Sequence, residues 1–409
     1  MKVNKNATEV SSFFVVAAPL ALPAFFSFIF LLTVANTSGV LIYGPTVLAI
    51  TISSTVVAFS DLGLRDFLLS KAAYKNNLSR PELLFYSATL NFILLTCAAL
   101  LYAARYADDD LAYLLLLALL PEAYALGVFH KCLFLNYQRN LNLSGFSKTD
   151  VILKSVPPLL RITIFILLED PLWAILVPSL FSFLAYGTWF FRDCLKDGRF
   201  APVSSRAVES VSLVFSTISL WSPFTLSFIS FFVYSSLDKL IITSLLGESE
   251  LAIYMAAFSL ISIGQIAVSA IWSIYMPRIS RNPEAIQKKA FLITSLSAGL
   301  IAFLSYQTLA HFLFDLLYPP SFHESPGVLS LLSFYFIFRL PSVAYEIYWV
   351  AYERYGLFVK IRVFVGFLSL TANLLLIPKH GLMAPAATMV ASELILLLIL
   401  IIFELKWRK

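Results

Sequence analysis

The chain is poor in charge. Only 13% of its 409 residues are Asp, Glu, Lys or Arg, against about one-quarter in an ordinary soluble domain. That leaves too little polar surface to coat a water-facing globule of this size. Cysteine is scarce as well: Cys97, Cys132 and Cys194 form no Cys-x-x-Cys pair and have no disulfide partner outside, so they read as packing residues. The four histidines are scattered, and His311, Asp315, His323 and Glu324 near one turn read as surface residues, with no metal or cofactor expected. GxxxxGK[ST], HExxH and GxSxG are missing, as is any catalytic acidic cluster. No polar stretch is long enough for a soluble catalytic domain. An enzyme is therefore not expected.

What is present is apolar sequence: 59% hydrophobic residues and a mean hydropathy of +0.84. Runs of about 20 apolar residues span a bilayer core as helix. Twelve such runs fall near 13–34, 40–60, 83–105, 111–130, 151–168, 172–191, 213–246, 251–276, 290–316, 327–352, 358–377 and 383–403. The first follows a polar start, MKVNKNATEV, with no small-residue cleavage site, and reads as a retained span. Basic residues stay on the cytoplasmic side of a membrane. With the N-terminus inside, all but five of the 29 lysines and arginines fall on inner segments. Arg105 and Lys379 fall outside, and Arg161, Lys239 and Arg339 fall within spans. The net charge of +5 thus reports topology and gives no support for nucleic-acid binding. The reading is a multi-pass, all-α membrane protein with both termini cytoplasmic.

Six runs precede the basic stretch 192–210 and six follow it, which predicts two parallel six-helix lobes, 1–205 and 206–409. SGVLIY (38–43) and SELAIY (249–254) open the second and eighth runs at a common offset of 211 residues.

An ionisable group inside a membrane costs at least about 2.5–3.5 kcal/mol on insertion scales and normally meets a partner or a wet cavity. In the tenth run Tyr335, Arg339, Ser342, Glu346, Trp349 and Glu353 recur at steps of four and three, which puts them on one helical face. This is either an internal Arg339–Glu346 pair or the lining of a polar cavity; the Tyr, Ser and Trp beyond the pair favour the cavity. Fainter stripes carry Arg362, Gly366, Ser369 and Asn373; Ser262, Gln265 and Ser269; and Ser216, Pro223, Ser227, Ser230, Tyr234 and Asp238. Lys154 and Arg161 share a face of the fifth run, where Arg161 has no acidic residue. It reads as an anion-binding candidate, with an ion pair to Glu122 or Glu393 as the alternative. Glu122 and Glu393 are candidates for carrying a proton or for neutralising an arginine. Asp238 and Lys239 fall near the outer end of the seventh run. Neighbours on a helix point about 100° apart, so the two are not expected simply to pair. Lys239 reads either as an interfacial anchor or as a group at a cavity mouth.

Three stretches resemble a known family. SSLDKLIITSLLGESELAIYMAAFSLISIGQIAVSAIWSIYMPRIS (235–280) is similar to the seventh-to-eighth span signature of Wzx-type polysaccharide flippases of the MOP superfamily, with Asp238, Lys239, Gly247, Glu250, Leu251, Tyr254, Ala257, Leu260, Pro277 and Ser280 at the pattern positions. ANLLLIPKHGLMAPAATMVASE (372–393) resembles the family's eleventh-to-twelfth junction, and YGPTVLAITISSTVVAFSDLGL (43–64) its second span, ending in D-L-G-L. The resemblance implies two six-helix lobes around a central cavity that opens alternately to each side of a bacterial inner membrane. It implies as substrate an undecaprenyl-diphosphate-linked oligosaccharide, an O-antigen or related repeat unit. A polysaccharide polymerase and a chain-length regulator are its implied pathway partners, beside membrane lipid. Arg161, Arg339 and Lys239 would then meet the diphosphate; Tyr335, Ser342, Gln265 and Trp349 would meet sugar. The first span lacks the basic residue of the peptidoglycan-precursor flippases, which argues against that substrate. A drug/cation antiporter of the same superfamily is the alternative, followed by a membrane polysaccharide polymerase or ligase; the basic lean of the embedded charges and the short outer loops count against them.

Overall fold

The computed structural model describes residues 5–68, 81–106, 110–139, 143–197, 222, 225–226, 229–230, 232–233, 236–281, 287–352 and 355–407. Among them every regular element is helical. Ten helices among the described residues are long and apolar enough to cross a membrane. The first of these, Ala21–Phe59, runs through 39 residues and lies in α1 (Lys5–Phe59), which breaks at Gly39, where φ is 63°. A positive φ is a conformation open chiefly to glycine, so the first two apolar runs join there without a loop. The run 213–246 and the boundary at 205/206 lie largely outside the described residues.

The chain packs as two compact units. One comprises Ile42–Ile229 with Ile29–Val34; the other comprises Ser230–Lys409 with Met1–Phe28 and Ala35–Leu41. The apolar surface is turned outward in both. Leu101 and Leu167 in the first, and Leu41 and Phe367 in the second, are 70–80% exposed, whereas many Ser, Asp, Glu and Arg side chains are buried. That inversion suits a lipid solvent, in which a polar group has no partner outside the protein.

The first unit contains α2 (Leu64–Leu68), α3 (Pro81–Tyr106), α4 (Asp110–Tyr124), a π-helical turn (Ala125–His130), α5 (Lys131–Arg139), α6 (Leu143–Leu168) and α7 (Pro171–Asp197). Helices α4, α6 and α7 form its centre, with α7 packed on both the others. The second unit contains α8 (Leu237–Leu246), α9 (Glu248–Arg281), α10 (Lys288–Leu317), α11 (Ser325–Ser333), α12 (Tyr335–Ala351), α13 (Tyr355–His380) and α14 (Met383–Trp407).

Helix α12 is the axis of the second unit. It packs on α9, α10, α13 and α14, and nearly every side chain along it is buried. Its two faces nonetheless differ. Leu340, Val343, Ala344, Ile347 and Tyr348 join Val268, Ile279 and Phe291 in an apolar core; Arg339, Ser342 and Glu346 form the other face. Close approach sets its register. A Cβ on Gly299 of α10 would stand 2.5 Å from the Phe336 carbonyl oxygen, so only a residue without a side chain lets the two backbones meet. Lys288 Nζ, 2.7 Å from Glu404 Oε1, ties the start of α10 to the end of α14.

Candidate functional site

Two polar interiors occupy the two units, and a third feature explains the family motifs. In the second unit Glu346, fully buried, lies between two guanidinium groups. Arg339 Nη1 donates to Glu346 Oε1 at 2.9 Å and Arg362 Nη2 donates to Glu346 Oε2 at 2.9 Å. Arg339 Nη1 also stands 3.6 Å from Glu393 Oε2 on α14. Seven residues are about two helical turns, so Arg339 and Glu346 share a face and the long arginine side chain spans the gap. Helices α12, α13 and α14 thus converge on two arginines and two glutamates whose formal charges cancel. Among the described residues neither oxygen of Glu393 receives a hydrogen bond. The buried Ser342 Oγ, Ser369 Oγ, Asn373 Oδ1 and Thr388 Oγ1 on the same three helices have no hydrogen-bond partner either.

The pairing of Arg339 with Glu346 is therefore present, and it is extended by Arg362 and Glu393. Trp349 does not continue the polar stripe: it is fully buried among Phe358, Ile361, Val365, Leu396 and Leu400. Tyr335 is buried with its ring against Phe336. Gln265 is half-buried on α9, and no hydrogen bond or ion pair among the described residues joins it to the cluster. Ser216, Pro223, Ser227, Tyr234 and Glu353 lie outside the described residues.

In the first unit Arg161 is not an unpaired cation. Its Nη2 donates to Glu122 Oε2, an oxygen that Ser179 Oγ also approaches at 3.3 Å. Of the two readings of Arg161, the ion pair is the one present, and of its two candidate partners the one that holds it is Glu122, which lies on α4 as a neighbour in space. A second layer lies beyond it. Asp150 accepts from Lys154 Nζ at 2.8 Å and from the Tyr186 hydroxyl at 2.8 Å, and His130 Nε2 stands 3.1 Å from Asp150 Oδ1. His130 is flanked by the rings of Phe134, Phe146 and Tyr186.

The two layers are seven residues apart on α6 (Lys154, Arg161) and on α7 (Ser179, Tyr186), which is about two turns. On the third element Glu122 and His130 are eight apart. The π turn Ala125–His130 absorbs the extra residue, so both side chains reach the same stripe. Such turns are frequent at functional sites. A search at the α-helical period places His130 off the stripe, and the π turn returns it.

The family motifs are tertiary locks. In the D-L-G-L stretch, Leu62 and Gly63 turn the chain with φ of 46° and 79°. Lys131 Nζ donates to Asp61 Oδ1 at 2.7 Å and to the carbonyls of Val57 and Ala58 at 2.8 and 3.0 Å. These carbonyls end α1 and have no partner within the helix. Gly127 of the π turn accepts at its carbonyl oxygen from Ser60 Oγ, at 2.7 Å. The corresponding lock in the second unit joins α8 to α9. Tyr254 donates its hydroxyl to Asp238 Oδ2 at 2.6 Å, across the turn at Gly247 (φ 93°). Lys239 Nζ folds back to Asp238 Oδ1 at 3.3 Å and sits 3.8 Å from the centre of the Phe258 ring. Asp238 and Lys239 thus do pair, contrary to expectation, because the four-carbon lysine stem covers the angle between neighbouring positions. Both are buried, so Lys239 is not an interfacial anchor.

Arg161, Arg339 and Lys239, the three cations that the sequence places within spans, therefore all hold carboxylates.

The family model described as polysaccharide biosynthesis protein matches residues 42–305. The capsular polysaccharide biosynthesis protein CapF of Staphylococcus aureus is 20% identical over 369 residues, 86% of this chain and 87% of CapF. Two solved structures share the fold. The lipid II flippase MurJ, in an inward closed conformation, is 13% identical with a TM-score of 0.66, over 95% of this chain and 86% of MurJ. The eukaryotic MATE transporter AtDTX14 is 14% identical with a TM-score of 0.59, over 97% and 96%. The matched stretch holds both locks and the whole first-unit network, and it is well over half of the molecule: this multi-pass membrane chain, with the fold of the MATE-like transporters, belongs to the polysaccharide biosynthesis protein family.

Proposed function

We propose that the protein translocates an undecaprenyl-diphosphate-linked oligosaccharide, a repeat unit of O-antigen or a related polysaccharide, from the inner to the outer leaflet of a bacterial cytoplasmic membrane. The observation that carries this reading is the buried cluster of Arg339, Glu346, Arg362 and Glu393. Cations held in a membrane interior mark the path of a polar or charged solute, and a diphosphate matches the two-pronged donors of a guanidinium. The family's role in polysaccharide biosynthesis and the fold shared with MurJ, a lipid II flippase, support the same class of cargo. Two six-helix lobes, 1–205 and 206–409, rock about the substrate in alternating access, and both termini face the cytoplasm. Sugar hydroxyls meet Tyr335, Ser342 and Gln265, while the prenyl tail stays in lipid. Glu122 balances Arg161. A polymerase and a chain-length regulator act downstream on the delivered unit.

The test is a host whose surface polysaccharide depends on this protein. Arg339→Ala and Arg161→Ala are each expected to abolish long-chain surface polymer while the protein still accumulates in the membrane. Normal polymer from both variants would sink the cationic-site reading.

A further inference from the structure

The headgroup reading leaves one carboxylate unexplained. Glu393 lies mid-way along α14, 1% exposed, and neither of its oxygens accepts a hydrogen bond. Its nearest cation, Arg339 Nη1 at 3.6 Å, is already held closer, at 2.9 Å, by Glu346. The charged groups facing it from the packed elements are Arg339 and Glu346 on α12 and Arg362 on α13. The remaining neighbour, α11, reads SPGVLSLLS and carries no titratable side chain. No tyrosine of α12 hydrogen-bonds to Glu393. Glu122 and Asp150 in the first unit have hydrogen-bond donors at these distances; Glu393 has a weak share of one.

An ionised carboxylate removed from water and left without donors is costly, and a proton removes that cost. We infer that Glu393 is a proton-binding site whose occupancy exchanges with its ion pair to Arg339. When an anionic headgroup takes Arg339, Glu393 loses its nearest counter-charge among the described residues and takes up a proton. This rests on the reading of Arg339 as a partner of the headgroup. The balance is simple. With both glutamates ionised, the cluster is neutral; the incoming phosphate oxygen brings negative charge, and one proton from solvent forms an O–H bond on Glu393 and offsets it. No other bond forms or breaks. Ser342 Oγ, one turn from Glu346, and Ser369 Oγ, two turns from Arg362, are buried polar atoms able to hold the water that delivers the proton. By linkage the two events favour one another, so headgroup affinity rises as pH falls.

The experiment uses the full chain in detergent micelles and undecaprenyl diphosphate as the ligand. Calorimetric titration in buffers of different ionisation enthalpy counts the protons taken up per molecule bound. Wild type is expected to take up protons on binding, with affinity weakening by up to about tenfold per pH unit in the range where Glu393 titrates. Glu393→Gln is expected to bind with that uptake abolished and an affinity flat in pH, and Glu393→Asp to restore both. Uptake that persists undiminished in Glu393→Gln overturns the inference, as does wild-type binding without uptake. If wild type does not bind at all, the headgroup reading itself falls and this falls with it. Should Glu393→Gln not fold, infrared difference spectra of wild type decide the matter. A new protonated-carboxyl band on adding the ligand supports the site, and its absence refutes it.

Discussion

The two units treat buried carboxylates differently. In the first, Glu122, Asp150 and Asp61 each accept hydrogen bonds from a neighbouring helix. In the second, Glu346 is doubly held while Glu393, a few ångströms away, accepts none. A carboxylate that already accepts hydrogen bonds resists change, because breaking a buried pair strands a charge. An under-coordinated carboxylate beside a shared arginine has an alternative state within reach. The Asp61 and Asp150 networks of the first unit therefore read as scaffold, and the second unit's cluster as the place where charge is exchanged.

That contrast breaks or sharpens on a few substitutions. The largest effect is expected from Glu346→Ala, which removes the carboxylate that Arg339 and Arg362 share and leaves the two guanidiniums facing the more distant Glu393. Removing one partner of a buried pair costs about 3–5 kcal/mol, so thermal unfolding of the purified protein should fall markedly further than for Glu122→Ala, where a single arginine loses one carboxylate. Equal losses would erase the distinction between a shared and a simple pair. Asp238→Ala comes next: it leaves the Tyr254 hydroxyl without its acceptor and takes the carboxylate from Lys239, which keeps the Phe258 ring, at about 1–3 kcal/mol for a buried group left unsatisfied. Tyr254→Phe removes only one donor, while Lys239 still holds Asp238. Hydrogen bonds within membrane proteins average about 0.6 kcal/mol, so its melting temperature should lie close to wild type. A Tyr254→Phe loss as large as that of Asp238→Ala would show the hydroxyl, and not the carboxylate, to be the centre of the lock.

Much of this was legible in the sequence. Apolar run length and the Lys/Arg alternation gave the helical, multi-pass character, and the Arg339–Glu346 spacing gave the face of α12. Proximity between helices was not legible. Nothing local decides between Glu122 and Glu393 as the partner of Arg161, or assigns Arg362 to Glu346 when its position near a run end reads equally well as an inner basic residue. Trp349 failed in the other direction: its spacing fits the polar stripe, but a ring at that position packs deeper than the polar residues and finds apolar neighbours. Asp238 and Lys239 misled because side-chain length, which a helical wheel ignores, let neighbours meet.

The π turn at Ala125–His130 has a consequence at the level of the gene. It is one codon more than the two layers require: α6 and α7 repeat their contacts every seven residues, and this segment takes eight. Loss of a codon such as that for Leu126 would return the segment to an ordinary helix with Glu122 and His130 still on one stripe. Loss of a codon between Lys154 and Arg161 would rotate one layer by about 100° against the other. Single-codon deletions, usually ruinous inside a buried helix, should thus divide sharply here. Protein accumulation in the membrane is expected to survive the first kind and not the second.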